Sequence, residues 1–228
     1  MTRSLTSKSV LAIATAAASF ALPAAAQVLD NFDAPTPGWL RTATGAPGSA
    51  ASLVRVCEAG LPVPGGARDV THNVYNNPLG SVSAVAVGEG RLSVAQGTGL
   101  MAETIVSYGA FTRVGCDDTV GGPRLRLNLS AVRSLRLTFS GAEDNMNVNV
   151  VYYTSAPLDP RAPLYYATVS RNVAPGAPGA PLEFKLPVGE NTAFNWKQVD
   201  GVVVLINRSG PIPHTSYTLD QLSFGVEP

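Results

Sequence analysis

The chain has 228 residues, of which 45% are hydrophobic, 14% charged and 7% aromatic, and its formal net charge at pH 7 is zero. This charge balance gives no reason to expect nucleic acid or an anionic membrane surface as a partner.

The first predicted element is a secretory signal peptide over residues 1–26. Arg3 and Lys8 give it a positively charged start, residues 10–22 form an apolar run of 13 residues, and the three alanines at 24–26 form a cleavage pattern before Gln27. The apolar run is shorter than the roughly 20 residues that a membrane helix needs. The sequence has no second candidate span, so membrane insertion is not predicted. We expect a secreted or periplasmic product of residues 27–228, whose formal charge is −2 because the signal removes two of the 16 basic residues.

Beyond the signal, apolar and polar residues alternate in short runs. A period of two predicts strands that bury one face against a second layer. The clearest runs are residues 124–130, 134–140 and 147–153, and the last two, separated by GAEDN, predict a hairpin. Further strands are predicted at residues 51–57, 68–75, 81–87, 91–96, 100–108, 165–173, 182–186, 201–207 and 216–224.

The segments between these runs are rich in turn-forming residues. Residues 156–163 and 174–181 carry repeated prolines, which donate no ladder hydrogen bond, so both are predicted surface connections. One helical turn is predicted at residues 195–199, where Trp196 would close one end of the core. About a dozen short strands separated by turns are typical of an all-β sandwich or barrel, and about 200 residues suit a single domain over 27–228.

The chain contains two cysteines, Cys57 and Cys116. In an exported protein a disulfide between them is the default expectation. It would close a loop of about 60 residues and stabilise the fold by about 4 kcal/mol. A metal site is poorly supported because neither cysteine has a histidine or a second cysteine nearby in the sequence. A catalytic thiol would need His72 or His214 beside it in space, and the sequence does not place them there.

The sequence lacks the common catalytic motifs, among them G-x-S-x-G, H-E-x-x-H, the P-loop and S-x-x-K. The adjacent acids Asp117 and Asp118, and Glu143 and Asp144, fall in predicted turns, where Asp commonly bonds the local backbone. No catalytic residue is assigned, and the sequence favours a binding protein over an enzyme.

Three other acids are candidates for a metal. Asp30 and Asp33 flank the opening strand, and Asp220 lies in the closing strand. First and last strands often meet in β-sandwiches, and calcium takes carboxylate and carbonyl oxygens, so these acids suit a structural calcium site. The alternative is that they are solvated acids and turn caps. No other cofactor is expected.

Several short motifs carry a family resemblance. VLDNFD at 28–33 and TLDQLSF at 218–224 resemble the opening and closing strands of galactose-binding-like jelly rolls, the fold of many carbohydrate-binding modules. Between them, PGGARDV, GRLSV and IVSYG are similar to a pattern in secreted bacterial proteins. That pattern includes a Tyr-Asp-Gly, whereas this chain has Tyr108-Gly109 and lacks the acid. The resemblance implies an all-β, two-sheet antiparallel β-sandwich of jelly-roll type, with glycan binding as its function.

The candidate ligand residues are aromatic and amide side chains, because sugars stack on aromatic rings and bond to polar groups. Neighbouring strands would form a shallow polymer platform from Tyr153 with Tyr165 or Tyr166, and from Asn147 and Asn149 on the same outward face. The alternative is that these tyrosines pack across strands for stability.

Trp39, in a Pro-Gly-Trp turn, is a further candidate for a site at a loop end. The leading hypothesis is non-catalytic binding of an extracellular or periplasmic glycan. Two others stay open: a cell-surface adhesion or assembly protein that binds another protein, and a polysaccharide-active enzyme of unfamiliar type. The sequence does not decide the oligomeric state.

Overall fold

The structure is a computed structural model that describes residues 27–33, 40–41, 52–113, 121–159, 161, 165–174, 176, 181–208 and 213–225. The predicted signal peptide, Trp39, Cys116 and the Asp117–Asp118 pair lie outside the described residues, and the division into residues 1–26 and 27–228 stays a prediction. In the described part of the chain, no helix has the length and apolar character needed to cross a membrane.

The described residues form 13 β-strands and one short 3₁₀ turn at Pro64–Gly66. The strands, in chain order, are β1 Gln27–Asp30, β2 Leu40–Arg41, β3 Ser52–Ala59, β4 Ala67–Asn76, β5 Ser83–Gly88, β6 Arg91–Gln96, β7 Met101–Gly109, β8 Ser134–Ala142, β9 Met146–Tyr153, β10 Tyr166–Val173, β11 Pro181–Lys185, β12 Gly201–Ile206 and β13 Tyr217–Gly225.

The strands form two antiparallel sheets. The six-stranded sheet has the order β10-β9-β12-β7-β4-β3. The seven-stranded sheet has the order β11-β8-β13-β6-β5-β2, with β1 paired to β13. The predicted all-β, two-sheet antiparallel sandwich of jelly-roll type is therefore confirmed, and the first and last strands do meet.

The main hydrophobic core lies between the two sheets and is built by the alternation in the sequence. Val148 and Val150 of β9 are fully buried on one side, and Leu135 and Leu137 of β8 are fully buried on the other. Burying a valine or leucine side chain stabilises a fold by roughly 1.5–3 kcal/mol. Most of the side chains that alternate with these residues, such as Asn149 and Arg136, are partly exposed on the outward faces of the sheets.

The predicted hairpin between residues 134–140 and 147–153 is wrong. Both strands exist, as β8 and β9, but they belong to different sheets: β8 pairs with β11 and β13, whereas β9 pairs with β10 and β12. The two strands bury their apolar faces in the same core from opposite sides. Alternation identifies the buried face of each strand, but a strand in the same sheet and one in the facing sheet give the same pattern.

The predicted strand at residues 124–130 is also not a regular strand. Within it, only Leu127 forms a bridge, with Val199. The alternation is nevertheless kept, since Leu129 is buried and Arg124 is exposed. The φ angle of Arg126 is 53°, in the left-handed region, and this interrupts the extended backbone.

The other predicted strands match observed strands, with ends that differ by at most two residues. Residues 195–199 form a turn rather than a helix, in which Gln198 N donates to Asn195 O at 3.0 Å. Trp196 in this turn is buried against the rings of Tyr152 and Phe194. Pro181 opens β11 at the edge of the seven-stranded sheet, a position where a missing N–H donor is tolerated.

Candidate functional site

An open cleft of about 420 Å³ lies at one end of the six-stranded sheet. At that end Gly109 of β7, Gly201 of β12 and Tyr153 of β9 lie side by side in register. The cleft is lined by the side chains of Phe111, Arg124, Tyr153 and Tyr166, together with Ala110, Gly121 and Gly122.

Two tyrosines form the floor of this cleft. Tyr153 of β9 and Tyr166 of β10 are direct register partners, so their side chains stand on the same outward face. Their ring centroids are 5.4 Å apart and the rings are tilted by 43°. Tyr166 is 53% exposed, so a ligand can reach it from solvent. The structure thus brings together two of the tyrosines that the sequence proposed for a platform.

Phe111 completes an aromatic cluster that the sequence analysis missed. Its ring lies 5.4 Å from that of Tyr153, edge to face, and 6.3 Å from that of Tyr166, with an angle of 27° between the planes of the latter pair. Gly109, with φ of 69°, turns the chain out of β7 just before this residue. A Cβ atom on Gly201 would come within 2.7 Å of the Phe111 ring, so glycine at position 201 makes room for the ring.

Arg124 forms the polar wall of the cleft. Its backbone is fixed because the carbonyl oxygen of Asp200 accepts a hydrogen bond from Leu125 N and another from Ala110 N, both at 3.0 Å. This one carbonyl therefore holds the segments that carry Arg124 and Phe111 side by side. The Arg124 side chain is exposed, and no carboxylate among the described residues pairs with it.

Asn147 and Asn149 lie on the same outward face as Tyr153 but do not line the cleft. Asn149 is four residues from Tyr153 along β9, which corresponds to about 13 Å of strand. Asn147 Nδ2 donates to Asn172 Oδ1 at 3.1 Å, and Ser170 Oγ donates to Asn149 Oδ1. These amides thus belong to a polar extension of the face rather than to the cleft itself.

Tyr165 precedes β10 by one residue and is 41% exposed. Successive side chains point to opposite faces of a strand, so Tyr165 points away from Tyr166 and does not line the cleft. Trp39 lies outside the described residues, and its predicted role at a loop end stays a prediction.

Asp30 forms a buried ion pair with Arg68. Arg68 Nη1 donates to both carboxylate oxygens of Asp30 at 2.9 Å, Tyr108 Oη donates to Oδ2 at 2.7 Å, and Phe32 N donates to Oδ1 at 2.8 Å. Arg68 also bonds to Glu58. Burial acts to lower the pKa of Arg68, but the charge of Asp30 and the bond to Glu58 outweigh it and raise that pKa.

The other two candidate metal ligands have separate partners. Asp33 is exposed and accepts a hydrogen bond from Asn31 Nδ2, and Asp220 Oδ1 accepts one from Ser140 Oγ at 2.8 Å. Among the described residues, no three His, Cys, Asp or Glu side chains are grouped so that they could hold a metal ion. Calcium at Asp30, Asp33 and Asp220 stays a prediction, and the guanidinium of Arg68 already neutralises the first of these carboxylates.

Cys57 lies in β3, directly opposite Asp69 of β4. Because Cys116 lies outside the described residues, the disulfide between the two stays a prediction.

A scan against protein-family models and a search of curated proteins found no match. Among solved structures, the chain is similar to the Family 11 Carbohydrate-Binding Module of the cellulosomal cellulase Lic26A-Cel5E of Clostridium thermocellum. The two share 8% identity with a TM-score of 0.40, over 90% of this chain and 97% of that one. It is also similar to the solution structure of CtCBM11, with 9% identity and a TM-score of 0.41, over 89% of this chain and 96% of that one. At these values the likeness identifies no ligand or activity for the present chain.

Proposed function

We propose that the chain is an exported, non-catalytic glycan-binding protein whose ligand stacks on Tyr153, Tyr166 and Phe111. The observation that carries the proposal is the cluster of three aromatic rings lining one open cleft, with Tyr166 more than half exposed. Ligand sites combine aromatic walls with a few polar groups that fix orientation. A sugar ring has apolar C–H faces and a polar rim, and this cleft offers partners for both.

The polar groups around the aromatic cluster give such a ligand an orientation. Arg124 supplies donors at one wall, and the backbone of Gly121 and Gly122 lines the same cleft. From Tyr153 the outward face continues along β9 to Asn149 and Asn147, over about 20 Å of strand. A polymer chain lying along β9 and β10 would pass from the aromatic cleft onto these amides.

The test is binding of the mature chain, residues 27–228, to a glycan array, followed by titration with each glycan retained. Tyr166→Ala removes an exposed ring from the cleft, and we expect affinity to fall about tenfold, equivalent to about 1.4 kcal/mol. Tyr165→Ala is the matched control, because Tyr165 is a neighbouring exposed tyrosine on the opposite side of the strand. It should bind as the unmodified chain does.

Retention of no glycan would contradict the proposal, as would equal losses in Tyr165→Ala and Tyr166→Ala. The alternative functions give different results in the same samples. A polysaccharide-active enzyme would release shortened products from a retained glycan, whereas an adhesion or assembly protein would bind a protein partner with an affinity that Tyr166→Ala leaves unchanged.

A further inference from the structure

Resting on the proposed glycan site, we infer that its ligand carries carboxylates: the cleft is built for a polysaccharide of uronic acid units, with one carboxylate bound by Arg124. The inference comes from the position of this arginine beside the aromatic cluster. The stacking surface is provided by the rings of Phe111, Tyr153 and Tyr166. Among the described residues that line the same cleft, Arg124 is the one with a charged side chain.

Two other arginines near this part of the molecule are engaged by acids. Arg68 binds Asp30 and Glu58, and Arg113, two residues after Phe111, binds Asp69 Oδ2 at 2.9 Å. Arg124 differs because the described lining of its cleft contains aromatic rings and backbone but no carboxylate. Arg124 therefore adds a positive charge to the lining of the cleft, and no carboxylate of the described lining neutralises it.

The chemistry of the guanidinium selects the ligand group. Arginine offers only donors, arranged in a planar fork that matches the two oxygens of a carboxylate. A neutral sugar presents hydroxyls, which take single hydrogen bonds, whereas a carboxylate takes two parallel, charge-assisted bonds. A uronic acid keeps the ring that stacks on the tyrosines and adds the carboxylate at its edge.

The experiment compares charged polymers with neutral ones that have the same backbone. Polygalacturonate and alginate, each paired with its carboxyl-reduced form, are titrated into the mature chain at low salt. We expect at least one acid form to bind about tenfold more tightly than its reduced form, as charge-assisted hydrogen bonds of roughly 1.5 kcal/mol or more would produce. Arg124→Gln should abolish this preference, and higher salt should weaken it by screening.

Arg126→Gln is the matched control, because Arg126 is exposed two residues away and does not line the cleft. It should keep the full preference. Equal losses in both arginine variants would overturn the inference, since they would reveal only a general attraction between charges. Equal binding of acid and reduced polymers, with loss in Tyr166→Ala, would overturn the uronate inference and leave the glycan site standing. If none of the four polymers binds while the array retains another glycan, only the uronate inference fails, and if the array also retains none, both proposals fail.

Discussion

At the scale of single residues, the opening motif shows how environment separates two identical side chains. Asp30 is 3% exposed and lies against Arg68, whereas Asp33, three residues later, is exposed. A register shift between Val28 and Asp30, opposite Ser223 and Leu222 of β13, interrupts the alternation in β1, so that Leu29 and Asp30 are both buried. The chain leaves the strand before Asp33. A charge in this core requires a partner, and Arg68 of the facing sheet provides it.

Asp30→Asn is therefore expected to destabilise the fold. Removing one partner of a buried ion pair typically costs about 3–5 kcal/mol, and because Glu58 remains bonded to Arg68 we expect a loss near the lower end, about 3 kcal/mol. Urea unfolding of the mature chain measures this. Asp33→Asn is the control and should change the free energy of unfolding by less than about 0.5 kcal/mol. Equal effects of the two substitutions would show that the ion pair does not carry the role assigned to it.

A chelator tests the predicted calcium site with the same proteins. If calcium binds at Asp30, chelation lowers the melting temperature of the unmodified chain and has no effect on Asp30→Asn. If Arg68 is the sole counterion, chelation leaves the melting temperature of both proteins unchanged.

At the scale of strands and loops, the sequence predicted the regular part of the site and missed the irregular part. Tyr153 and Tyr166 lie in alternating runs, so their faces follow from period two, and their pairing follows once β9 and β10 are neighbours. Phe111 lies in a segment without periodicity, and Arg124 begins an alternating run that does not form a regular strand. Their segments are held at the cleft by two backbone hydrogen bonds to the carbonyl of Asp200. This long-range contact cannot be predicted from a local sequence pattern.

The same limit explains the two errors in the fold. The alternation of residues 134–140 and 147–153 correctly gave two half-buried strands, but strand pairing depends on β11, β12 and β13, which come later in the chain. At residues 124–130 the alternation was correct but the predicted strand was not, because Arg126 adopts a positive φ. The identity of this residue does not predict that backbone conformation.

The predicted disulfide would fix the loop that carries Phe111. Arg113 in that loop already binds Asp69 of β4, and Cys57 of β3 lies opposite Asp69, with its sulfur 3.9 Å from Asp69 Oδ1. Cys116 follows Arg113 by three residues, a reach of about 10 Å. A bridge would thus tie this loop to the edge of the six-stranded sheet.

Intact mass after alkylation tests this bridge. The unreduced, denatured chain should take up no alkylating agent, and the reduced chain should take up two equivalents. Replacing both cysteines by serine should lower the free energy of unfolding by about 2–4 kcal/mol. Two modified thiols in the unreduced, denatured protein would exclude the disulfide.

At the scale of the whole molecule, two buried polar links among the described residues join the sheets across the core. One is the pair of Arg68 and Asp30. The other is His72 of β4, which is fully buried: its Nδ1 lies 2.9 Å from Thr104 Oγ1 in the same sheet, and its Nε2 lies 2.6 Å from Ser83 Oγ in the facing sheet. The first link is ionic and the second is neutral. The effect of acid on the second link can be measured separately, by comparing the unmodified chain with a variant at His72.

Burial lowers the pKa of His72 to about 4, from an ordinary value of 6.5. The folded state therefore keeps this ring neutral at a pH where the unfolded chain binds a proton, so protonation favours unfolding as the pH falls. The contribution is fully present above pH 6.5, is lost between pH 6.5 and 4, and amounts to about 3 kcal/mol in total, of which about 2 kcal/mol is lost by pH 5.

The measurement is urea unfolding of the unmodified chain and of His72→Gln between pH 7.5 and 5. Carboxylates titrate in both proteins, so their contributions cancel in the difference, and only the unmodified chain should lose the additional 2 kcal/mol or so. Glutamine is uncharged throughout this range and can still bond to the hydroxyls of Thr104 and Ser83. Parallel pH profiles for the two proteins would mean that His72 titrates normally in the folded state, and hence that water reaches the space between the sheets at this point.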